Sequence, residues 1–264
     1  MDITKMSLEG KVAVITGGSR GIGYATALVM AKAGANVVVA SRKVEDLEKV
    51  AEEIKAIGVK SLAVACHVAK LEESQRLVDT VVKEFGKIDV LFNNAGTNPY
   101  FGPLLGAEEW AWDVTNNVNL KGAFFLAKMV AQVMKEKGTG GSIINTASVG
   151  GLVPSEIPIY NVTKAGLIML TKCMAREWGQ YGIRVNAISP GVIKTKLSAV
   201  MWETDEAAKI SAQLTAIGRL GEPEDVAKLV LFLASDASGY ISGENIAIDG
   251  GQLVAAGSPM SKEE

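Results

Sequence analysis

Tyr160 and Lys164 stand four positions apart in the run IYNVTK (159–164). On a helix, side chains at that spacing share one face. A phenol with its ordinary pKa of about 10 is a poor acid or base near neutrality. A fixed ammonium within a few ångströms favours the phenolate and lowers that value. The pair suits a tuned proton donor, or it is two unrelated side chains on a solvated face. A second run with chemical potential is TGGSRGIG (16–23), set between the strand-like KVAVIT and the helix-like YATALVMAKAGA. Its glycines permit a tight turn and close backbone approach, so that N–H groups opening the helix would point at a pyrophosphate. The spacing is GxxxGxG rather than GxGxxG, and no GK[ST] follows that would indicate a P-loop.

The next strand-like run, NVVVAS, leads into Ser41, Arg42 and Lys43, with no carboxylate at its tip. An acidic residue there would hold the ribose 2′-hydroxyl of NAD, whereas an arginine accommodates the 2′-phosphate of NADP. Arg42 offers a planar fork of donors, Ser41 a hydroxyl, and Arg20 in the glycine loop a second cation. NADP(H) is the expected cofactor. NAD(H) is the alternative if Arg42 and Lys43 are solvated charges opening the next helix.

These groups need a frame to hold them. Val- and Ile-rich runs at 11–16, 36–41, 61–68, 88–96, 142–148, 184–191 and 245–251 alternate with helical segments such as 44–58, 72–87 and 108–138. Runs apolar at nearly every position suit parallel strands covered on both faces. The alternation predicts an α/β fold: a single-domain, doubly wound (Rossmann-type), mostly parallel seven-stranded sheet with helices on both faces. One domain spans 1–264. Only 194–221 breaks the rhythm, an inserted helical stretch that is either a substrate lid or a piece completing the core.

Bulk composition narrows the function classes. The chain is 48% hydrophobic, and 27 basic against 29 acidic residues give a net charge of −2. Without a basic block, neither nucleic acid nor an anionic membrane surface is an expected partner. The two cysteines, Cys66 and Cys173, lie far apart in apolar settings and read as a reduced, buried pair in a reducing compartment. With His67 the single histidine, a Cys/His metal site is not expected, and a Ser-His-Asp triad has one candidate base. The N-terminus lacks the apolar run of a signal peptide, no stretch is long enough to span a membrane, and the ending SPMSKEE is not a peroxisomal SKL signal. A cytoplasmic protein is expected.

Taken together, TGGSRGIG (16–23), NNAG (93–96), NVNLKG (117–122), Ser148, YNVTK (160–164), SPGVIKT (189–195) and IAIDGG (246–251) resemble the short-chain dehydrogenase/reductase superfamily, in order and spacing, from about Leu8 to Gln252. The resemblance implies that Tyr160 protonates the developing alkoxide in carbonyl reduction, or acts as base in alcohol oxidation. Lys164 would contact the nicotinamide ribose and lower the phenol pKa; a shift from 10 towards 7 corresponds to about 4 kcal/mol. Ser148 would hydrogen-bond the substrate oxygen, and Asn119 would hold a water linking Lys164 to solvent. Cofactor contacts would come from Gly17, Ser19, Arg20, Gly21, Ile22 and Gly23 in the glycine loop, and from Asn94, Ala95 and Gly96 after the fourth strand. Pro190, Gly191, Ile193 and Thr195 would border the nicotinamide. Many relatives carry an aspartate against adenine near the end of the third strand; this chain has Cys66, His67 and Val68 there, with His67 expected at the adenine edge.

The expected substrate walls, 97–105, 149–159 and the 194–220 stretch with Leu152, Val153, Met201 and Trp202, are mostly apolar, and Glu156 is their nearest carboxylate. A medium-sized ketone or secondary alcohol, cyclic, steroid-like or acyl-chain, is the expected small-molecule partner. The resemblance also implies a homotetramer pairing the helices at 107–137 and 155–180. Relatives that saturate C=C bonds often space the tyrosine and lysine more widely than YxxxK. A non-catalytic NADP(H)-binding sensor or scaffold is the rival of a different class.

Overall fold

A computed structural model describes residues 6–255. The side-chain alternation of one strand sets the layers. In β1 (Val12–Thr16) every residue is buried, with Ala13 and Ile15 in one apolar cluster and Val12 and Val14 in the other. Successive strand residues point to opposite faces, so a strand apolar throughout must be covered on both. On the Ala13/Ile15 face, α1 (Gly21–Lys32), α2 (Val44–Ala56) and α8 (Pro223–Ala234) contribute Met30, Leu47, Ile54 and Val230. On the other face, α3 (Leu71–Phe85), α5 (Ala123–Lys137) and α6 (Pro158–Trp178) contribute Leu77, Val81, Leu126, Met134 and Trp178. Left-handed glycines stop two of these helices, Gly86 (φ 77°) after α3 and Gly138 (φ 66°) after α5.

The remaining strands are β2 (Asn36–Ser41), β3 (Ser61–Ala65), β4 (Val90–Asn93), β5 (Gly141–Thr146), β6 (Ile183–Pro190) and β7 (Asn245–Ile248). All seven pair in parallel in the order β3-β2-β1-β4-β5-β6-β7. Val14 of β1 sits between Val38 of β2 and Leu91 of β4. The order reverses between β1 and β4, and the carboxyl ends of strands at such a switch point frame a crevice where ligands bind.

Two expectations need correction, and a third stretch takes shape. The helix predicted over 108–138 is α4 (Glu109–Asn116), a wide π turn (Asn117–Gly122) and α5. Gly122 closes the π turn in tight contact: a Cβ there would lie 2.6 Å from the Val68 carbonyl oxygen and 3.0 Å from that of Asn117. Cys66 is buried as expected, but Cys173 is exposed on α6, and both thiols are free. The 194–221 stretch, read as either a lid or a core piece, forms a 3₁₀ turn (Lys196–Met201) and α7 (Asp205–Gln213), with Leu197, Val200, Ile210 and Ile217 more than half exposed and Ser211, Thr215 and Leu220 buried. Among the described residues no helix is long and apolar enough to cross a membrane, and no cluster of His, Cys, Asp and Glu could hold a metal ion. The terminal segments MDITK and SPMSKEE, on which the targeting expectation drew, reach outside the described residues.

Candidate active site

The crevice at the switch point is a cleft of about 990 Å³. The glycine loop leaves β1 at its floor. A Cβ on Gly17 would lie 2.8 Å from Asn94 Nδ2, and one on Gly23 only 2.3 Å from the Gly17 carbonyl oxygen, so only glycine allows the loop to fold this tightly onto α1. Asn94, just past β4, locks the loop by donating from Nδ2 to the carbonyls of Thr16 (3.0 Å) and Gly17 (3.3 Å). The Thr16 hydroxyl accepts from the backbone N–H groups of Asn94 and Ala95 at 3.0 and 3.1 Å. The resulting helix end has no side-chain cap and no acidic residue in its first turn. Such an end favours an anion through its free N–H groups and the helix dipole.

At the catalytic end, Pro158 opens α6, where its missing N–H costs nothing. Tyr160 therefore falls in the first helical turn and Lys164 one turn later, both facing the cleft. Ser148, just past β5, accepts from the Gly150 N–H at 3.1 Å and lines the cleft with Tyr160. Lys164 Nζ lies 5.3 Å from the centroid of the Tyr160 ring and donates to the Thr146 carbonyl at 2.6 Å. Burial pushes the Tyr160 phenol up to about 12, with the Ser148 hydroxyl opposing. Burial likewise pulls Lys164 down to about 8. In the protein alone burial thus moves the phenol up and the ammonium down, because desolvation penalises both charged forms, and the lowering expected from the lysine is not among the causes acting on the phenol.

Asn119 is fully buried behind this pair. Its Oδ1 accepts from the Thr97 N–H (2.8 Å), and its Nδ2 donates to the Thr97 carbonyl (2.9 Å) and the Thr163 hydroxyl (3.3 Å). Both amide hydrogens are spent, so this side chain clamps the strand-to-loop exit of β4 instead of presenting donors to the cleft. The layer beneath is a chain of amides. Asn93 Nδ2 donates to Asn145 Oδ1 at 3.0 Å, and Asn145 Nδ2 donates to the Thr171 hydroxyl at 2.9 Å, tying β4, β5 and α6 together. Buried polar groups satisfied in this way fix one arrangement of the elements that carry the site.

Nearly all the residues picked out in the sequence line this one cleft: Gly17, Ser19, Arg20, Gly21, Ile22, Ser41, Arg42, His67, Val68, Asn94, Ala95, Gly96, Ser148, Tyr160, Lys164, Pro190, Gly191, Ile193 and Thr195. Gly23 and Asn119 do not; they support the wall from behind. The His67 ring accepts from the Ala69 N–H through Nδ1 at 3.3 Å, which leaves Nε2 free to face the cleft's outer end. Of the expected substrate walls, Val153 and Met201 line the cleft, whereas Leu152, Glu156 and Trp202 do not. Trp202 donates its indole N–H to the Thr195 carbonyl at 3.1 Å and to the Ser198 hydroxyl at 3.2 Å, bracing the turn that follows β6.

Residues that carried no motif also enter. Asn98, Thr146, Lys196 and Gln252 line the cleft, and Asn98 Oδ1, Thr146 Oγ1 and Gln252 Oε1 are buried with no hydrogen-bond partner among the described residues. Asn98 and Lys196 lie in segments expected as substrate walls, whereas Thr146 and Gln252 reach the cleft only through the tertiary fold. A dinucleotide fits the whole set. The glycine cradle admits a diphosphate, the cations past β2 face its adenosine end, and the unpartnered acceptors await donors at the other end.

Comparison with known proteins agrees with this geometry. The family model described as Enoyl-(Acyl carrier protein) reductase matches residues 17–252. Dehydrogenase/reductase SDR family member 4 of Homo sapiens is 40% identical over 245 residues, covering 92% of this chain and 88% of the relative. A short-chain type dehydrogenase/reductase from Mycobacterium marinum superposes with a TM-score of 0.88 at 37% identity, covering 94% of this chain and 97% of that one. A gluconate 5-dehydrogenase from Burkholderia cenocepacia, solved in complex with NADP and tartrate, gives a TM-score of 0.91 at 32% identity, covering 96% and 99%.

Proposed function

This chain belongs to the short-chain dehydrogenase/reductase family of NAD(P)-dependent oxidoreductases, and from that premise we propose that it is an NADP(H)-dependent enzyme interconverting a largely apolar ketone and its secondary alcohol. The observation that carries the reading is the convergence of Ser148, Tyr160 and Lys164 on one wall of the cleft that the glycine loop floors. The nicotinamide, when bound, supplies or accepts the hydride. The chain's own residues do the rest. Ser148 donates to the carbonyl oxygen and orients it, and Tyr160 gives that oxygen its proton as negative charge develops. The Lys164 ammonium, with the Tyr160 ring 5.3 Å away, steadies the phenolate left behind. In the alcohol direction the Tyr160 phenolate, steadied by Lys164, takes the proton back.

NADP(H) preference is supported by Arg42 and Lys43, both exposed at the tip of β2, with no carboxylate in β2 or at its tip to receive a 2′-hydroxyl. The relative solved with NADP supports it as well. An apolar substrate is supported by Phe101, Val114, Val153, Leu197, Val200 and Met201 on the cleft wall, three of them from the 194–221 stretch, which we read as a lid. A homotetramer is supported by large apolar side chains left exposed on two helices, Trp110 and Trp112 on α4 and Val162 and Met169 on α6, which symmetry-related copies would cover. Two free thiols fit a reducing, cytoplasmic setting.

Arg42→Ala is the test of cofactor choice. The wild type is expected to bind NADPH at least tenfold more tightly than NADH by calorimetry, and the variant to lose most of that margin, since a bidentate arginine–phosphate pair is among the stronger charge-assisted contacts. Equal binding of the two cofactors by the wild type would return Arg42 to the role of a solvated charge and favour an NAD-dependent alcohol dehydrogenase. The same preparation, assayed with cyclic ketones, polyols and a trans-2-enoyl thioester, checks the substrate. The enoyl reaction is the second reading, favoured by the description of the matching family model. Turnover of the thioester above that of every ketone would adopt it.

A further inference from the structure

We propose that Lys196, the first residue of the lid turn, clamps the cofactor's diphosphate and so ties the lid to the phosphate loop. The proposal rests on the NADP(H) reading above and deepens it. Position is the first argument. The methyl of Thr195 packs against the opening residue of α1, where a Cβ on Gly21 would meet Thr195 Cγ2 at 3.1 Å. Lys196 follows directly, is exposed, and lines the same cleft as Gly17, Ser19 and Gly21.

The second argument is that its charge is uncommitted. Lys194 is tied to Glu222 at 2.6 Å, and Arg219 to Asp225 at 2.6 Å, at the base of the lid. Lys196 has no ion pair among the described residues. The third argument is charge balance. Arg42 and Lys43 stand past β2, at the 2′-phosphate end. The diphosphate is left with the uncapped α1 terminus, worth about half a charge, and with Arg20. Against the roughly two negative charges of a diphosphate these leave about half a charge, which a cation from across the cleft would cover.

The turn that carries Lys196 is also rigidly held. Ser198 and Thr195 form a reciprocal cap, the Ser198 hydroxyl donates to the Ile193 carbonyl, and the Trp202 indole N–H donates to the Thr195 carbonyl. Below it, the Lys194 N–H donates to the Gly221 carbonyl at 2.9 Å, and the Gly221 N–H to the Val192 carbonyl at 3.1 Å. A phosphate gripped by Lys196 would therefore fix Thr195 and the lid walls Leu197, Val200 and Met201 as one piece.

The experiment titrates full-length wild type, Lys196→Met, Lys196→Arg and Arg42→Ala with NADPH and with 2′-AMP, which carries the 2′-phosphate but no diphosphate. Lys196→Met is expected to weaken NADPH about tenfold, reduce the sensitivity of its binding to added salt, and leave 2′-AMP unchanged. Lys196→Arg is expected to restore most of the NADPH affinity, and Arg42→Ala to weaken both ligands. Wild-type NADPH affinity in Lys196→Met would overturn the clamp while leaving the cofactor reading intact, as would equal weakening of 2′-AMP. A raised KM confined to a carboxylate-bearing ketone would overturn it too, by placing Lys196 on the substrate. Failure of the wild type to bind NADPH would remove the cofactor reading and this proposal together.

Discussion

Tyr160→Phe is expected to lower kcat for carbonyl reduction by about 10³-fold, within the range for loss of a positioned acid, while NADPH affinity stays essentially unchanged. The substitution removes one oxygen from a half-buried ring. The ring face near which Lys164 sits, the Lys164–Thr146 bond and the glycine loop all remain. Ser148 would still polarise the carbonyl, which accounts for the residual rate. Loss of less than tenfold would show that the proton reaches the substrate from elsewhere. The pH profile of kcat/KM tests the same assignment. Tyr160, held near 12 by burial, stays protonated throughout the working range and sets no limb there. Lys164, pulled down to about 8, is cationic below that pH and neutral above it. The reductive rate should therefore be flat on the acid side and fall above about pH 8, as the charge that stabilises the departing phenolate is lost. A profile flat to pH 10 would detach Lys164 from turnover.

Gly23→Ala is expected to abolish dinucleotide binding, a loss beyond 100-fold by calorimetry, and to lower Tm by several degrees. The added methyl would sit 2.3 Å from the Gly17 carbonyl oxygen and 2.9 Å from its carbon, with Asn94 Nδ2 at 2.7 Å. Two of these three contacts are backbone, so no side-chain rotation relieves the clash. The loop must lift from α1 and surrender the Asn94 bonds that fasten it to β4. Overpacking of a tight interior contact costs about 1–3 kcal/mol, and for a chain of this size each kcal/mol moves Tm by about 2–4 °C. The binding loss is larger, because the displaced N–H groups no longer converge on one anion. Gly179→Ala is the control. A Cβ there meets nothing within 4 Å, and the residue has ordinary helical dihedrals. Binding by Gly23→Ala within tenfold of wild type would mean that the loop's shape is not what recognises the phosphates.

Much of this protein was already determined by the sequence itself. The alternation of apolar strands and amphipathic helices, the glycine spacing after β1, the tip of β2 without a carboxylate and the Tyr160–Lys164 interval are all short-range properties. Backbone period, turn chemistry and one helical turn of reach suffice to read them, so the seven-stranded parallel sheet and the cofactor cleft followed. What only the tertiary structure decided depends on groups distant in the chain. The π turn around Asn119 sets Gly122 against the Val68 carbonyl. Gly23 supports the wall from behind, Trp202 braces the lid where an apolar wall was expected, and Cys173 lies on an exposed face of α6. Gln252 reaches the cleft from just beyond the last motif, and Lys196 from the stretch read as either a lid or a core piece. Above all, the direction of the Tyr160 shift was set by the fold. Spacing places an ammonium beside a phenol, but burial depends on every element packed around them, and burial is the leading cause of the shift.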